Sequence, residues 1–151
     1  AALDAFASAD RVARSAGNRW MSAFARTEAS SLRVRLGDLD RGCVGLADTV
    51  DAWYRAGEWA QQWLTLSRCM FALDRLEQYE LAAELLGAIE QHSSVDSPPG
   101  MPSVLRTAVD ARESLLERFG EDRAVELAAQ GAGLPLAELV HRTRSALLTH
   151  R

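Results

Sequence analysis

The side chains able to do chemistry in this sequence are few and scattered. Histidines stand at positions 92, 141 and 150, with no carboxylate beside them at ligand spacing. Neither a His-Glu-x-x-His nor a Cys-x-x-Cys pattern occurs, so zinc chemistry has no anchor. Ser93 and Ser94 follow His92, a nucleophile next to a base. Adjacent side chains in a loop seldom point together, and the loop reading is preferred. Gly131-x-Gly133 lacks the third glycine and the preceding strand of a dinucleotide loop, so it reads as the end of one helix and the start of another. Lysine is absent, and all 17 basic residues are arginine. A Schiff base or a phosphate-binding lysine from this chain is thereby excluded. Cys43 and Cys69 each lie inside an apolar helical pattern and read as buried, reduced thiols. The expectation is a chain with no catalytic residue, no metal and no cofactor, and hence not an enzyme.

Two constellations remain as candidates for binding or for structure. Trp53, Tyr54, Trp59 and Trp63 form the densest aromatic set, and Trp59 and Trp63 share a helical face. Aromatic anchors dominate ligand pockets and partner grooves, although stripes at this spacing usually belong to a core. The other is a charged pair. Glu28 lies on the Phe24–Leu32 side of its helix, and Arg68 sits forty residues on, between Leu64 and Phe71. Stacked repeats would bring the two together as a half-buried ion pair.

The elements that must carry these residues are helices. Leu3, Phe6, Ala7, Val12 and Ala13 fit one helix ending before Gly17, and Asn18 is a good N-cap for the next. That second helix carries Met21, Phe24, Ala25 and Leu32 on one face and stops at Gly37. Cys43, Leu46, Ala47, Val50, Trp53 and Tyr54 mark a third helix from about Asp40, closed by Gly57. Trp59, Trp63, Leu66, Met70 and Leu73 step by four, three, four and three, the strongest helical signal in the chain. A fifth helix is expected over Tyr79 to His92, then a loop over 93–102, rich in Ser and Pro. A sixth spans about Ser103 to Phe119, with Leu105, Ala108, Val109, Arg112, Leu116 and Phe119 along one side. A short helix from Asp122 to Gln130 precedes a last one that starts near Pro135 and runs through Leu148. Arg142 and Arg144 near its end suit the negative pole of the helix. No stretch alternates with period two.

Shifted by forty residues, the chain matches itself. Ala16-Gly17 falls on Ala56-Gly57, Arg35-Leu36 on Arg75-Leu76, Gly42 on Ala82 and Leu46 on Leu86. A two-helix unit with such a period marks a helical solenoid, in which each pair hides the apolar face its neighbour leaves bare. The predicted fold is all-α, a tetratricopeptide-like solenoid of antiparallel helix pairs with seven to eight helices. Residues 1–92 form the repeats, 93–102 a loop, and 103–151 helices packing on the repeats, all in one domain.

Length and composition agree with this. A chain of 151 residues, 48% hydrophobic and 25% charged, is long enough to bury a core without metal or disulfide. The net charge of −4 disfavours a general nucleic-acid or membrane-surface role. No apolar run approaches the length of a membrane span. A cytoplasmic protein is expected. The sequence opens as Ala1-Ala2-Leu3-Asp4-Ala5-Phe6, without Met or a cap, and reads as a piece of a longer polypeptide.

The run AGEWAQQWLTLSRCMFALDRLEQYELAAELLGAIEQ over 56–91 carries a resemblance, as does LLERFGEDRAVELAAQGAGLPLAELVHRTRSALL from Leu115 to Leu148. A Trp-containing helix, a short turn and a helix of the type AAxLLGAxE, here Ala82 to Glu90, lead into a Gly turn and a closing helix. Together these resemble the C-terminal helical region of actinobacterial MalT-like and LuxR-type regulators and of cyclase-linked signalling ATPases. Pro135 replaces the usual Ser, and His141 and Arg142 replace small or apolar residues. The resemblance implies a regulatory, protein-interaction segment downstream of an ATPase module. Its partners would be other domains of the parent chain or a separate protein, with a small-molecule inducer as a further ligand. None of that family's catalytic or phosphate-binding motifs matches a position here. The expected function is a non-catalytic module presenting a groove; the alternative is a small-molecule sensor with a Trp-rich pocket between helices.

Overall fold

The computed structural model describes residues 1–96 and 102–149, with side chains for all of these except 93–96 and 102–109. Among the described residues there are eight α-helices and no strand. They are α1 (Ala2–Ser15), α2 (Arg19–Arg35), α3 (Leu39–Ala56), α4 (Trp59–Arg75), α5 (Tyr79–Asp96), α6 (Pro102–Phe119), α7 (Glu121–Ala132) and α8 (Leu136–Leu148).

The first four connections share one geometry. Each helix from α1 to α4 is followed by a residue in the left-handed region: Gly17 at φ 70°, Gly37 at 90°, Gly57 at 68° and Glu77 at 59°. The next backbone N–H then reaches back to a carbonyl five residues earlier. These bonds run Asn18 to Ala13 (2.8 Å), Asp38 to Arg33 (2.9 Å), Glu58 to Trp53 (3.2 Å) and Gln78 to Leu73 (2.9 Å). This 6→1 bond is the mark of a Schellman turn, which satisfies carbonyls orphaned at a helix end. Asn18 and Asp38 then cap the following helices, accepting from the backbone N–H of Met21 (2.9 Å) and Arg41 (3.4 Å). A cap residue directly after a left-handed one leaves no slack, so consecutive helices fold back on one another. Accordingly α1 packs on α2, α2 on α3, α3 on α4 and α4 on α5.

Helices two apart also meet: α2 with α4, α4 with α6, and α5 with α7. The last helix returns along the molecule, lying mainly on α3 and touching α4 and α5. The core forms where these layers face one another, from Leu46, Val50, Leu66, Leu73, Leu85, Ile89, Leu127, Leu139 and Leu147 among others, all 1% exposed or less.

Three expectations are corrected. The loop expected from residue 93 does not begin there, because α5 continues through Ser93 and Ser94 to Asp96. Residues 97–101 of that loop lie outside the described residues, as do the side chains of Leu105, Ala108 and Val109. Gly131 does not break a helix. It lies inside α7, where a Cβ would stand 1.7 Å from the Glu84 carbonyl oxygen of α5. On the opposite side, a Cβ at Gly87 would stand 2.0 Å from the Ala128 carbonyl oxygen. The two helices therefore cross backbone to backbone, and glycine is needed for close approach rather than for a turn. Finally, Met21 of the expected α2 face is 41% exposed, while Ala25 of that face is buried together with Ala23, Thr27, Ala29, Ser30 and Val34.

Candidate functional site

The four aromatic residues singled out in the sequence are not gathered into one pocket. Trp53 is a core residue, 2% exposed, and its indole Nε1–H donates to Thr27 Oγ1 at 3.4 Å. Trp20 meets it edge-on at 6.0 Å and stacks on Phe24 at 5.5 Å. Trp20 was missed by sequence reasoning, because it occupies the first turn of α2, outside the apolar stripe read there. Tyr54 and Trp59 flank the Gly57 turn, edge to face at 6.0 Å, and both remain exposed. Trp63 is half-buried and stacks on His92 at 4.5 Å, which gives that histidine a packing role. His141 is exposed on α8, and His150 lies outside the described residues.

Glu28 and Arg68 do meet, with Arg68 Nη2 3.6 Å from Glu28 Oε1. Their side chains are 21% and 19% exposed, so the pair is partly shielded from water between α2 and α4. Arg68 Nε is buried with no hydrogen-bond partner.

Other charged contacts tie the C-terminal helices to the rest, and sequence reasoning did not find them. Arg142 reaches Glu84 of α5 at 2.8 Å and Glu138 of its own helix at 3.1 Å. Arg144 Nε donates to the Ala47 carbonyl of α3 at 3.1 Å, and its Nη1 lies 3.8 Å from Asp51. Both arginines, read as helix-end cations, are also tethers to neighbouring helices. Arg112 forms a two-pronged pair with Glu90 at 2.9 and 2.5 Å, which raises the pKa of its guanidinium. Arg118 lies over the Tyr79 ring, 3.4 Å from its centroid.

The two cysteines are fully buried and free. Burial, with a smaller contribution from Asp40, pushes the Cys43 thiol up to about 11. Burial also raises Cys69, reinforced by the neighbouring Cys43. Thiols held protonated at neutral pH are poor nucleophiles. Asp10 shows the opposite balance. Burial raises its pKa, but a hydrogen bond from Ser22, the bonded Arg14 and the nearby Arg26 together hold it below the ordinary 3.8. Among the described residues no group of three or more His, Cys, Asp or Glu is placed to hold a metal ion. Nor is any of the described helices long and apolar enough to cross a membrane.

Two clefts between helices stand out among the described residues. One, of about 250 Å³, lies where the ends of α2 and α4 meet α5 and α6. Met70, Phe71, Ala82 and Leu115 give it an apolar floor, with Arg35, Asp74 and Asp110 around it. The other, of about 190 Å³, is a groove between α1 and α3 with α2 as its floor. It mixes Leu3, Phe6 and Ala7 with Arg26, Arg33 and Asp48. Neither includes the tryptophan set. Single polar positions among apolar ones were the available signal, and they read as interruptions of a helical stripe rather than as a lining.

What the geometry defines is an all-helical protein with clefts between helices. No family model, curated protein or solved structure matches the chain.

Proposed function

We propose that this chain is a non-catalytic interaction module, a tetratricopeptide-like helical solenoid that regulates a larger signalling ATPase or transcriptional regulator. One observation carries the reading. Helices α2 and α4 begin at 19 and 59 and end at 35 and 75, while α3 and α5 begin at 39 and 79. Forty residues thus return the chain to the same point of a two-helix unit, with the same left-handed corner at each turn. Neighbouring units in such an array contact mainly one another and leave grooves along the stack. The partner is a protein, either a domain of the parent chain or a separate one, and neither nucleic acid nor membrane is bound directly. A cytoplasmic setting goes with this reading, and two buried free thiols are in keeping with a reducing compartment.

Binding in a groove regulates an attached ATPase only if the partner prefers one arrangement of the two over another. The test is the ATPase rate of the parent protein with and without residues 1–151. A changed rate is expected, and an unchanged rate overturns regulation. A small-molecule inducer is the second reading. It is favoured by the 250 Å³ cleft rather than by the tryptophans. Arg35, Asp74 and Asp110 make no ion pair there among the described residues, and both signs of charge over an apolar floor suit a small zwitterion.

A further inference from the structure

The groove between α1 and α3 has a counterpart one unit along, and that counterpart is filled. Helix α8 lies on α3, α4 and α5, burying Leu139, Val140, Thr143 and Leu147. Arg144 of α8 bonds the carbonyl of Ala47, the residue forty positions after Ala7 of the open groove. The correspondence extends to the whole lining. Every residue lining the α1–α3 groove has a counterpart forty residues on that is 5% exposed or less. Four of those counterparts have changed from charged to apolar: Asp10 to Val50, Arg26 to Leu66, Arg33 to Leu73 and Asp48 to Ala88. The second groove is thus an apolar bed closed by a helix of this chain. The first is a charged version of the same bed, left open.

The charges say what would close it. Asp10 is occupied, bonded to Arg14 at 2.6 Å and to Ser22 at 2.5 Å. Arg26 Nε is buried without a hydrogen-bond partner. Arg33 and Asp48 make no ion pair or side-chain hydrogen bond among the described residues. Two arginines seven residues apart on one helix face stand about 10.5 Å apart along its axis. A second helix lying along α2 presents carboxylates at that interval when they too are seven residues apart. Ala25 and Ala29 are the small residues of the floor, already buried against α1 and α3, and the side chains at its rim are those of Ala7, Arg33 and Asp48. We propose that the α1–α3 groove binds an amphipathic helix of a partner protein, seated as α8 is seated one unit later, its carboxylates on Arg26 and Arg33 and a basic side chain facing Asp48. This rests on the forty-residue repeat reading above and names the partner chemistry for it.

The probe is a labelled Ala- and Leu-rich helical peptide of about sixteen residues, with two glutamates seven apart. Its glutamine counterpart serves as control, and both are titrated into the 151-residue chain by fluorescence anisotropy. The glutamate peptide is expected to bind at least about tenfold more tightly at low salt, as charge-assisted bonds in a partly buried site require. Arg33→Gln should erase that difference. Ala7→Trp, a change at an exposed residue that alters no charge, should block binding by filling the groove. Bound peptide should slow amide exchange in α1, α2 and α3. Equal binding of the two peptides overturns the proposal. So does full binding to Ala7→Trp, or protection confined to α3–α5, which would mean displacement of α8. Self-association through α1–α3 that excludes the peptide overturns it as well. A chain that refuses the peptide yet changes the parent ATPase rate removes this proposal alone. Peptide binding with an unchanged rate removes the regulatory reading alone.

Discussion

Arg68 and Glu28 are forty residues apart in sequence and 3.6 Å apart in space. An ion pair about one-fifth exposed lies between the weak surface case and the strongly coupled buried one. Arg68→Ala is therefore expected to lose about 1–2 kcal/mol in urea unfolding. A loss of only a few tenths, as at an ordinary surface site, would show that the two charges are solvated separately. Asp10 makes a different prediction, in pH. Its carboxyl has a lower pKa folded than unfolded, so its contribution is complete above the unfolded value near 3.8 and fades as pH falls through the folded one. Asp10→Asn should destabilise the protein at pH 7, and the gap to the parent sequence should shrink as the solution is taken below about pH 4. A gap that stays constant down to pH 2 would remove the Ser22 and Arg14 contacts as its source. The charged pair was legible because the match of the sequence to itself at a shift of forty residues set α2 beside α4. Arg142 and Arg144 were half legible: their place near the end of a helix is local, but Glu84 and Asp51 belong to other helices and no spacing points to them.

At the scale of the element, one turn departs from the other three. Glu77 holds a left-handed φ where Gly17, Gly37 and Gly57 stand at the corresponding corners. A side chain in that region costs about 1–3 kcal/mol, partly offset because glycine loosens the unfolded chain. Glu77→Gly should raise the urea midpoint by the equivalent of about 0.5–1 kcal/mol, and a lowered midpoint would mean that Glu77 is comfortable there. Gly131 gives the converse. A methyl group 1.7 Å from a backbone oxygen cannot be accommodated by a rotamer change, so α5 and α7 must separate. Gly131→Ala is expected to cost at least about 2 kcal/mol. Gly133→Ala is the control, since its Cβ would meet nothing nearer than 3.6 Å. Equal effects at the two sites would contradict the backbone contact. Helix starts and stops were largely legible, because caps and left-handed corners are local chemistry. The error at Gly131 has a physical reason: glycine is chosen for an unusual φ and for close approach alike, and one sequence does not separate the two. Ser93 and Ser94 misled in a similar way, since polar residues ahead of a proline are as compatible with a last helical turn as with a loop.

For the molecule as a whole, the all-helical class and the number of elements followed from apolar spacing. The return of α8 across α3 did not, because its buried residues Leu139, Val140, Thr143 and Leu147 state only that one face is covered, not by what. The dispersal of Trp53, Tyr54, Trp59 and Trp63 has the same origin. Neighbours on one helix face are shared out among different helices once the element is packed, so Trp53 joins α2 and Trp63 joins α5 while Tyr54 and Trp59 keep each other's company. The open groove was illegible for a related reason. Its charged lining is spread over three helices, and no spacing in the sequence joins them.

The seam between α5 and α7 has a thermodynamic consequence of its own. Glycine and alanine have no side-chain torsion to freeze; at the seam Gly87 approaches the main chain of Ala128, and Gly131 approaches that of Glu84. Closing these two main-chain contacts surrenders almost no rotational freedom beyond that already given up in forming the two helices.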